Sequence, residues 1–155
     1  MKHYLLCIAI LLACPAITTA QRKSVELTAI EERLVRSIQE DSSNWTRVEV
    51  TPIEGSEDVS INKWSVEDRT VGITIIRYAS EAESSNRIRQ FAADLKAERT
   101  MVEDADEVFS LGQRNSITLR KRSFIVNVNV DAPDPSDQKQ MLKRFAKLVL
   151  DAIKQ

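Results

Sequence analysis

The sequence predicts an α+β domain: a mostly antiparallel sheet of about five or six strands, with helices packed on one face, in the order α-βββ-α-βββ-α. Three observations carry that prediction. The apolar period changes repeatedly between helical spacing and strict alternation along the chain. The strand-like runs follow one another through short, turn-length connections, which favours antiparallel neighbours. The last strand-like run, Phe124 to Asp131, sets Phe124, Val126, Val128 and Val130 against Ile125, Asn127, Asn129 and Asp131, so one sheet face is polar.

Each element has its own signal. Thr28-Ala29-Ile30-Glu31 matches a capping box and predicts a helix start. Leu27, Ile30, Leu34 and Ile38 then share one helical face, until Asp41-Ser42-Ser43-Asn44 ends it. Val48 and Val50 alternate with polar residues up to Pro52 and Gly55. Val59 and Ile61 alternate next, and Trp64 and Val66 follow with a phase slip that suggests a bulge. Glu67-Asp68-Arg69 reads as a turn. Val71 to Tyr78 is apolar on both parities, as expected of a covered central strand.

Ser80-Glu81-Ala82-Glu83 is a second capping box. It opens a helix to about Arg99 that carries Ile88, Phe91, Ala92 and Leu95 at helical spacing. Val108 to Leu111 is a short strand, and Ile117 and Leu119 mark another. Asp134 is placed to cap a last helix with Pro135 at its first position, and Met141, Leu142, Phe145, Leu148, Val149 and Ala152 form its core face. Arg89-Gln90-Phe91-Ala92 and Lys143-Arg144-Phe145-Ala146 sit at matching helix positions and raise the idea of two duplicated halves.

The first twenty residues read as a secretory leader. Met1-Lys2-His3 is a short positive end, Tyr4 to Ala13 an apolar run, and Thr18-Thr19-Ala20 a small-residue ending. The expected organisation is therefore residues 1–20 as signal peptide and 21–155 as one domain, exported to the periplasm or medium. Arg22-Lys23, just past the expected cut, opposes translocation. Leu11-Leu12-Ala13-Cys14 resembles a bacterial lipobox, and lipidation at Cys14 is the alternative ending, a membrane-anchored lipoprotein. No transmembrane helix is expected in the mature chain.

The leader also bounds the chemistry. Cys7, Cys14 and His3 account for both cysteines and the one histidine. A chain cut after Ala20 has neither thiol nor imidazole, which removes zinc sites of the usual kind and catalytic triads. Lys2 is the single charge in the leader, so its loss leaves 21 bases against 23 acids, net −2. That balance gives no footprint for nucleic acid. No phosphate-cradling glycine motif occurs, and no cofactor is expected.

Candidate sites follow from exposure and clustering. Trp45 and Trp64, the two tryptophans, would grip a sugar or peptide if exposed on neighbouring strands, and would otherwise pack in the core. The polar sheet face around Thr118, Arg120, Asn127 and Asn129 is the other ligand-binding candidate. Asp131, Asp134 and Asp137 are spaced for a hard cation, although capping explains two of them. Glu103-Asp104-Ala105-Asp106-Glu107 is a dense acidic run. Arg114, Arg120, Lys121 and Arg122 gather at a hairpin as a basic patch or a charged edge.

Leu111-Gly112, Ile117-Thr118-Leu119-Arg120-Lys121 and Phe124-Ile125-Val126-Asn127-Val128 together resemble a hairpin pattern of uncharacterised exported bacterial α+β domains. The resemblance covers the second half and implies an extracytoplasmic setting. The functional expectation is a small exported non-enzymatic domain, a binding or accessory protein of the cell envelope or periplasm. Its expected partner is an envelope protein, a peptide or a glycan. A calcium-dependent module or a carboxylate-based hydrolase is the alternative.

Overall fold

The two strands with the densest apolar patterning pair with each other at the middle of the sheet. The computed structural model describes residues 24–42, 44–51, 58–111 and 115–154. Its elements run α1 (Val25–Asp41), β1 (Thr46–Val48), β2 (Val59–Val66), β3 (Arg69–Arg77), α2 (Glu81–Asp94), β4 (Glu98–Arg99), β5 (Glu107–Ser110), β6 (Ser116–Lys121), β7 (Phe124–Asp131) and α3 (Pro135–Lys154). All pairings are antiparallel, in the order β1-β2-β3-β7-β6-β5-β4. The α+β class and the helix–meander–helix–meander–helix order are those the sequence predicts. Among the described residues the strand count is seven, because β4 is a two-residue strand in the segment expected to finish the second helix.

Both short connections between long strands turn on a non-glycine residue in the left-handed region. Glu67 has φ 50° between β2 and β3, and Arg122 has φ 53° between β6 and β7. The second is held from three sides. The Arg122 amide donates to Asp106 Oδ2 at 2.7 Å, and its carbonyl accepts from Ser84 Oγ at 2.8 Å and Arg120 Nη1 at 3.0 Å.

Capping explains where the helices start. Ser24, not Thr28, caps α1: its Oγ accepts from the Leu27 amide, and Thr28 Oγ1 turns back to donate to the Ser24 carbonyl. Ser80 caps α2 by accepting from the Glu83 amide, while Glu83 Oε2 accepts from the Ala79 amide. Asp134 Oδ1 accepts from the Ser136 amide at the start of α3, and that bond holds its carboxyl below the usual carboxylate range.

The main core lies on one sheet face. Leu27, Ile30, Leu34 and Ile38 of α1, with Met141, Phe145, Val149, Leu150 and Ile153 of α3, close over Val71, Ile73 and Ile75 of β3 and Val126, Val128 and Val130 of β7. Arg33 Nε donates to the Ala152 carbonyl and ties the two helices together.

The helices do not all share that face. Strand pairing puts Thr74, Ile76, Thr118, Ile125 and Asn127 on the side opposite Ile73, Leu119 and Val126. It is there that α2 packs, burying Ile88 and Ala92 outside the main core. The domain is therefore three-layered, with α1 and α3 below and α2 above. The physical reason is the second parity of β3 and β7: Ile76 and Ile125 are apolar residues on the outer face, and α2 covers part of it. The same finding counts against two duplicated halves, since α2 and α3, the helices that carry Arg89–Ala92 and Lys143–Ala146, lie on opposite sides of the sheet.

The β2 strand departs most from its reading. Its register runs unbroken from Val59↔Ile76 to Val66↔Arg69, so it has no bulge. The residues facing the main core are Ser60, Asn62 and Trp64, whereas Val59 and Ile61 are half-buried on the outer face. The buried polar pair is satisfied from α1 and β1. Ser60 Oγ donates to Glu31 Oε2 at 3.1 Å, Asn62 Nδ2 donates to Ser60 Oγ at 2.9 Å, and Arg47 Nη2 donates to Asn62 Oδ1 at 2.7 Å and also to Glu31. A closed network of this kind lets a core face carry polar side chains without the desolvation penalty of orphaned groups.

Candidate functional site

The outer sheet face is only partly covered, and the uncovered part forms a groove beside α2. Its floor is Thr74 of β3, Thr118 of β6 and Asn127 of β7, with the neighbouring pair Ile76 and Ile125 on the same face. Tyr78, just beyond β3, and Phe91 of α2 supply aromatic walls, and Arg87, Gln90 and Asp94 form the rim along the helix. The volume is about 400 Å³, within the range of small-molecule sites. A second depression of about 490 Å³ shares Phe91 and Asn127 with the first. It continues toward Asn115, Asn129 and Asp131.

The floor is fixed by its own hydrogen bonds. Asn127 Nδ2 donates to Thr118 Oγ1 at 3.0 Å, and Asn129 Nδ2 reaches Asn127 Oδ1 at 3.5 Å. Gly72, opposite Asn129 in the register, makes room for that amide. A Cβ at position 72 would lie 2.5 Å from Asn129 Oδ1.

Of the residues expected to bind, Thr118 and Asn127 line this groove and Asn129 lies in its extension. Arg120 is on the same face but is committed elsewhere. Its Nε donates to Glu107 Oε1 at 3.0 Å, and its Nη1 lies 3.2 Å from Asp106 Oδ2. Trp45 and Trp64 are buried beneath the other face, 8% and 1% exposed, so neither presents a ring to a ligand. Trp45 meets Phe145 edge-on at 5.1 Å between centroids. Trp64 Nε1 is buried without a partner among the described residues.

The charged runs answer each other. Glu107 takes hydrogen bonds from Ser85 Oγ, Arg89 Nε and Arg120 Nε. Burial pushes its carboxyl up, and those three donors outweigh burial and hold it below the usual range. Asp106 pairs with Arg120 and Lys121, and Asp104 with Lys154. Asp106 and Glu107 of the acidic run and Arg120 and Lys121 of the basic hairpin thus form one internal contact, Arg114 lying outside the described residues. Asp137 pairs with Arg69 at 2.8 Å while Asp134 caps α3. Among the described residues no cluster of three potential metal ligands occurs, and no helix is long and apolar enough to cross a membrane.

The residues that sequence reasoning missed are Tyr78, Arg87, Phe91 and Asp94. Phe91 carried a signal, but as part of an apolar helical stripe. In the structure it is half-buried at the groove wall, while its neighbours Ile88 and Ala92 are buried. Fold and site together define a three-layer α+β domain with an open, mixed polar and apolar groove on its outer sheet face. Comparison of the chain with protein-family models, curated proteins and solved structures finds no match.

Proposed function

We propose that this is a small exported, non-enzymatic binding domain of the bacterial envelope or periplasm, and that the groove beside α2 is its ligand site. The observation that carries the reading is the composition of that groove. Half-buried aromatic and aliphatic walls stand over a floor of ordered amide and hydroxyl groups, as in sites that orient a small amphipathic ligand. Asp106, Glu107, Asp134 and Asp137 meanwhile serve as a cap or as ion-pair partners, which favours binding over carboxylate catalysis. Export rests on the leader-like residues 1–20, which lie outside the described residues, and on the resemblance of the second half to exported domains.

Two measurements test this. The neutral fluorophore N-phenyl-1-naphthylamine is expected to show saturable emission enhancement with the wild-type protein. The enhancement should be lost in Phe91→Asp, which charges the wall, and in Thr74→Lys, which fills the floor. Thermal melts of both variants check that the fold survives. Enhancement that is absent in the wild type, or equal in all three proteins, overturns the groove assignment. The intact mass of the protein recovered from an expressing bacterium tests export. A chain starting at Gln21, or a lipidated chain starting at Cys14, supports it, and a mass starting at Met1 rejects it.

A further inference from the structure

Resting on the groove as the ligand site, we infer that its ligand is a short zwitterionic peptide of about three residues. In this arrangement the peptide lies along α2 with its carboxylate at Arg87 and its ammonium at Asp94. Two charges at the groove have no evident role in folding. Arg87 and Asp94 both line the groove and both are exposed. Among the described residues neither takes part in an ion pair, and the one contact of Arg87 is a long hydrogen bond of 3.4 Å to Gln90 Oε1.

Asp94 is moreover badly placed for the helix that carries it. It is the final residue of α2, whose last turn holds no basic residue, so its charge opposes the negative end of the helix dipole. A residue that breaks a local rule without a visible gain to the fold is a candidate for service to a ligand.

Spacing supplies the length. Residues seven apart on a helix share a face and stand about 10.5 Å apart along the axis. An extended peptide covers roughly 3.3–3.6 Å per residue, so about three residues bridge the two charges. The rest of the groove lining suits what such a peptide presents between its ends. Ile76, Ile125 and Phe91 would take an apolar central side chain, and the Thr74 hydroxyl and Asn127 amide face its peptide groups. The orientation follows from electrostatics, because an ammonium at Asp94 also sits at the negative end of α2. A neutral glycan would satisfy the floor and the aromatic walls but would leave both charges unanswered. An acyl chain would desolvate the floor without replacing its hydrogen bonds to water.

Calorimetric titration of the purified protein with Ala-Leu-Ala tests the inference. The comparison ligands are the same peptide N-acetylated, the same peptide C-amidated, the dipeptide Ala-Leu, a five-residue analogue and tri-N-acetylchitotriose. Free Ala-Leu-Ala is expected to bind one-to-one, and blocking either terminus should weaken it about five- to tenfold. Arg87→Gln and Asp94→Asn, both exposed changes, should each weaken it similarly. N-acetylation should then cost little further in Asp94→Asn, and amidation little further in Arg87→Gln, a pairing that a general structural effect would not produce. If the blocked peptides or the chitotriose bind as tightly as the free peptide, the charge-pair inference fails while the groove stands. No peptide binding with the fluorophore still bound has the same meaning, and loss of both overturns the two readings together.

Discussion

Phe145→Ala is expected to cost roughly 3–5 kcal/mol of folding stability, the range for removing a fully enclosed aromatic ring. Phe145 is fully buried where α3 meets the sheet, and its ring meets Trp45 in an edge-on pair. The loss combines the transfer free energy of the ring, the cavity left behind and a share of the aromatic contact, about 0.5–1.5 kcal/mol. Against a total of about 5–15 kcal/mol for a domain, that is a large part of the whole. Chemical denaturation should show a lower midpoint at an unchanged slope. Phe91→Ala provides the contrast, since that half-buried ring lies in the groove outside the main core. A loss below about 1.5 kcal/mol for Phe145→Ala would contradict the enclosed position described above.

The second large effect concerns Glu107, and it depends on pH. Glu107→Gln removes the carboxylate that Arg89, Ser85 and Arg120 converge on, and leaves the largely buried Arg120 with Asp106 as its remaining acid. Two of the bonds lost are to cations, but Arg89 is 66% exposed and its share is screened. The expected cost at neutral pH is about 2–3 kcal/mol. Because the folded-state carboxyl titrates below its ordinary value, its contribution is fully present above the unfolded-state pKa of about 4.3. It is lost as pH falls through the lower folded-state value. The gap between wild type and Glu107→Gln should therefore be constant from pH 7 to about pH 5 and close below about pH 4. A gap that widens as the solution is acidified would refute the assignment.

Most of the fold was legible because its strongest signals are local. Val71 to Tyr78 and Phe124 to Asp131 carry dense apolar patterns, and they occupy the centre of the sheet as β3 and β7. Ser80 and Asp134 announce their helices through side-chain oxygens that act within three residues. The faces were harder. In β2 the sequence alternation makes Val59 and Ile61 look like the core side, and the fact that reverses it is the placement of Glu31 and Arg47 from two other elements. The helix layers had the same difficulty. Ile76 and Ile125 are needed to see that a helix belongs on the outer face, and their pairing is a property of the assembled sheet.

The site was legible only in its floor. Thr118, Asn127 and Asn129 could be named because one alternating strand and its neighbour display them. Tyr78, Arg87, Phe91 and Asp94 join them through the docking of α2, which no spacing in the chain encodes. The tryptophans were misleading for a related reason. Large aromatic residues on strands suit a binding surface and a core equally well, and burial separates the two uses only once both sheet faces are known.

The inverted β2 also ties the strand to a helix distant in the sequence. In its first half hydrophobicity favours the strand turned over, with Val59 and Ile61 inward. In its second half it favours the observed face, because a one-residue slip would turn Trp64 out and Lys63 in. The polar half of the observed face is held by Glu31, which receives Ser60 and Arg47. The first helix thereby works as a template for a strand some thirty residues later, and it is synthesised before that strand. Without Glu31, Ser60 and Asn62 would face the core with one polar partner fewer, so α1 helps to fix which face of β2 turns inward.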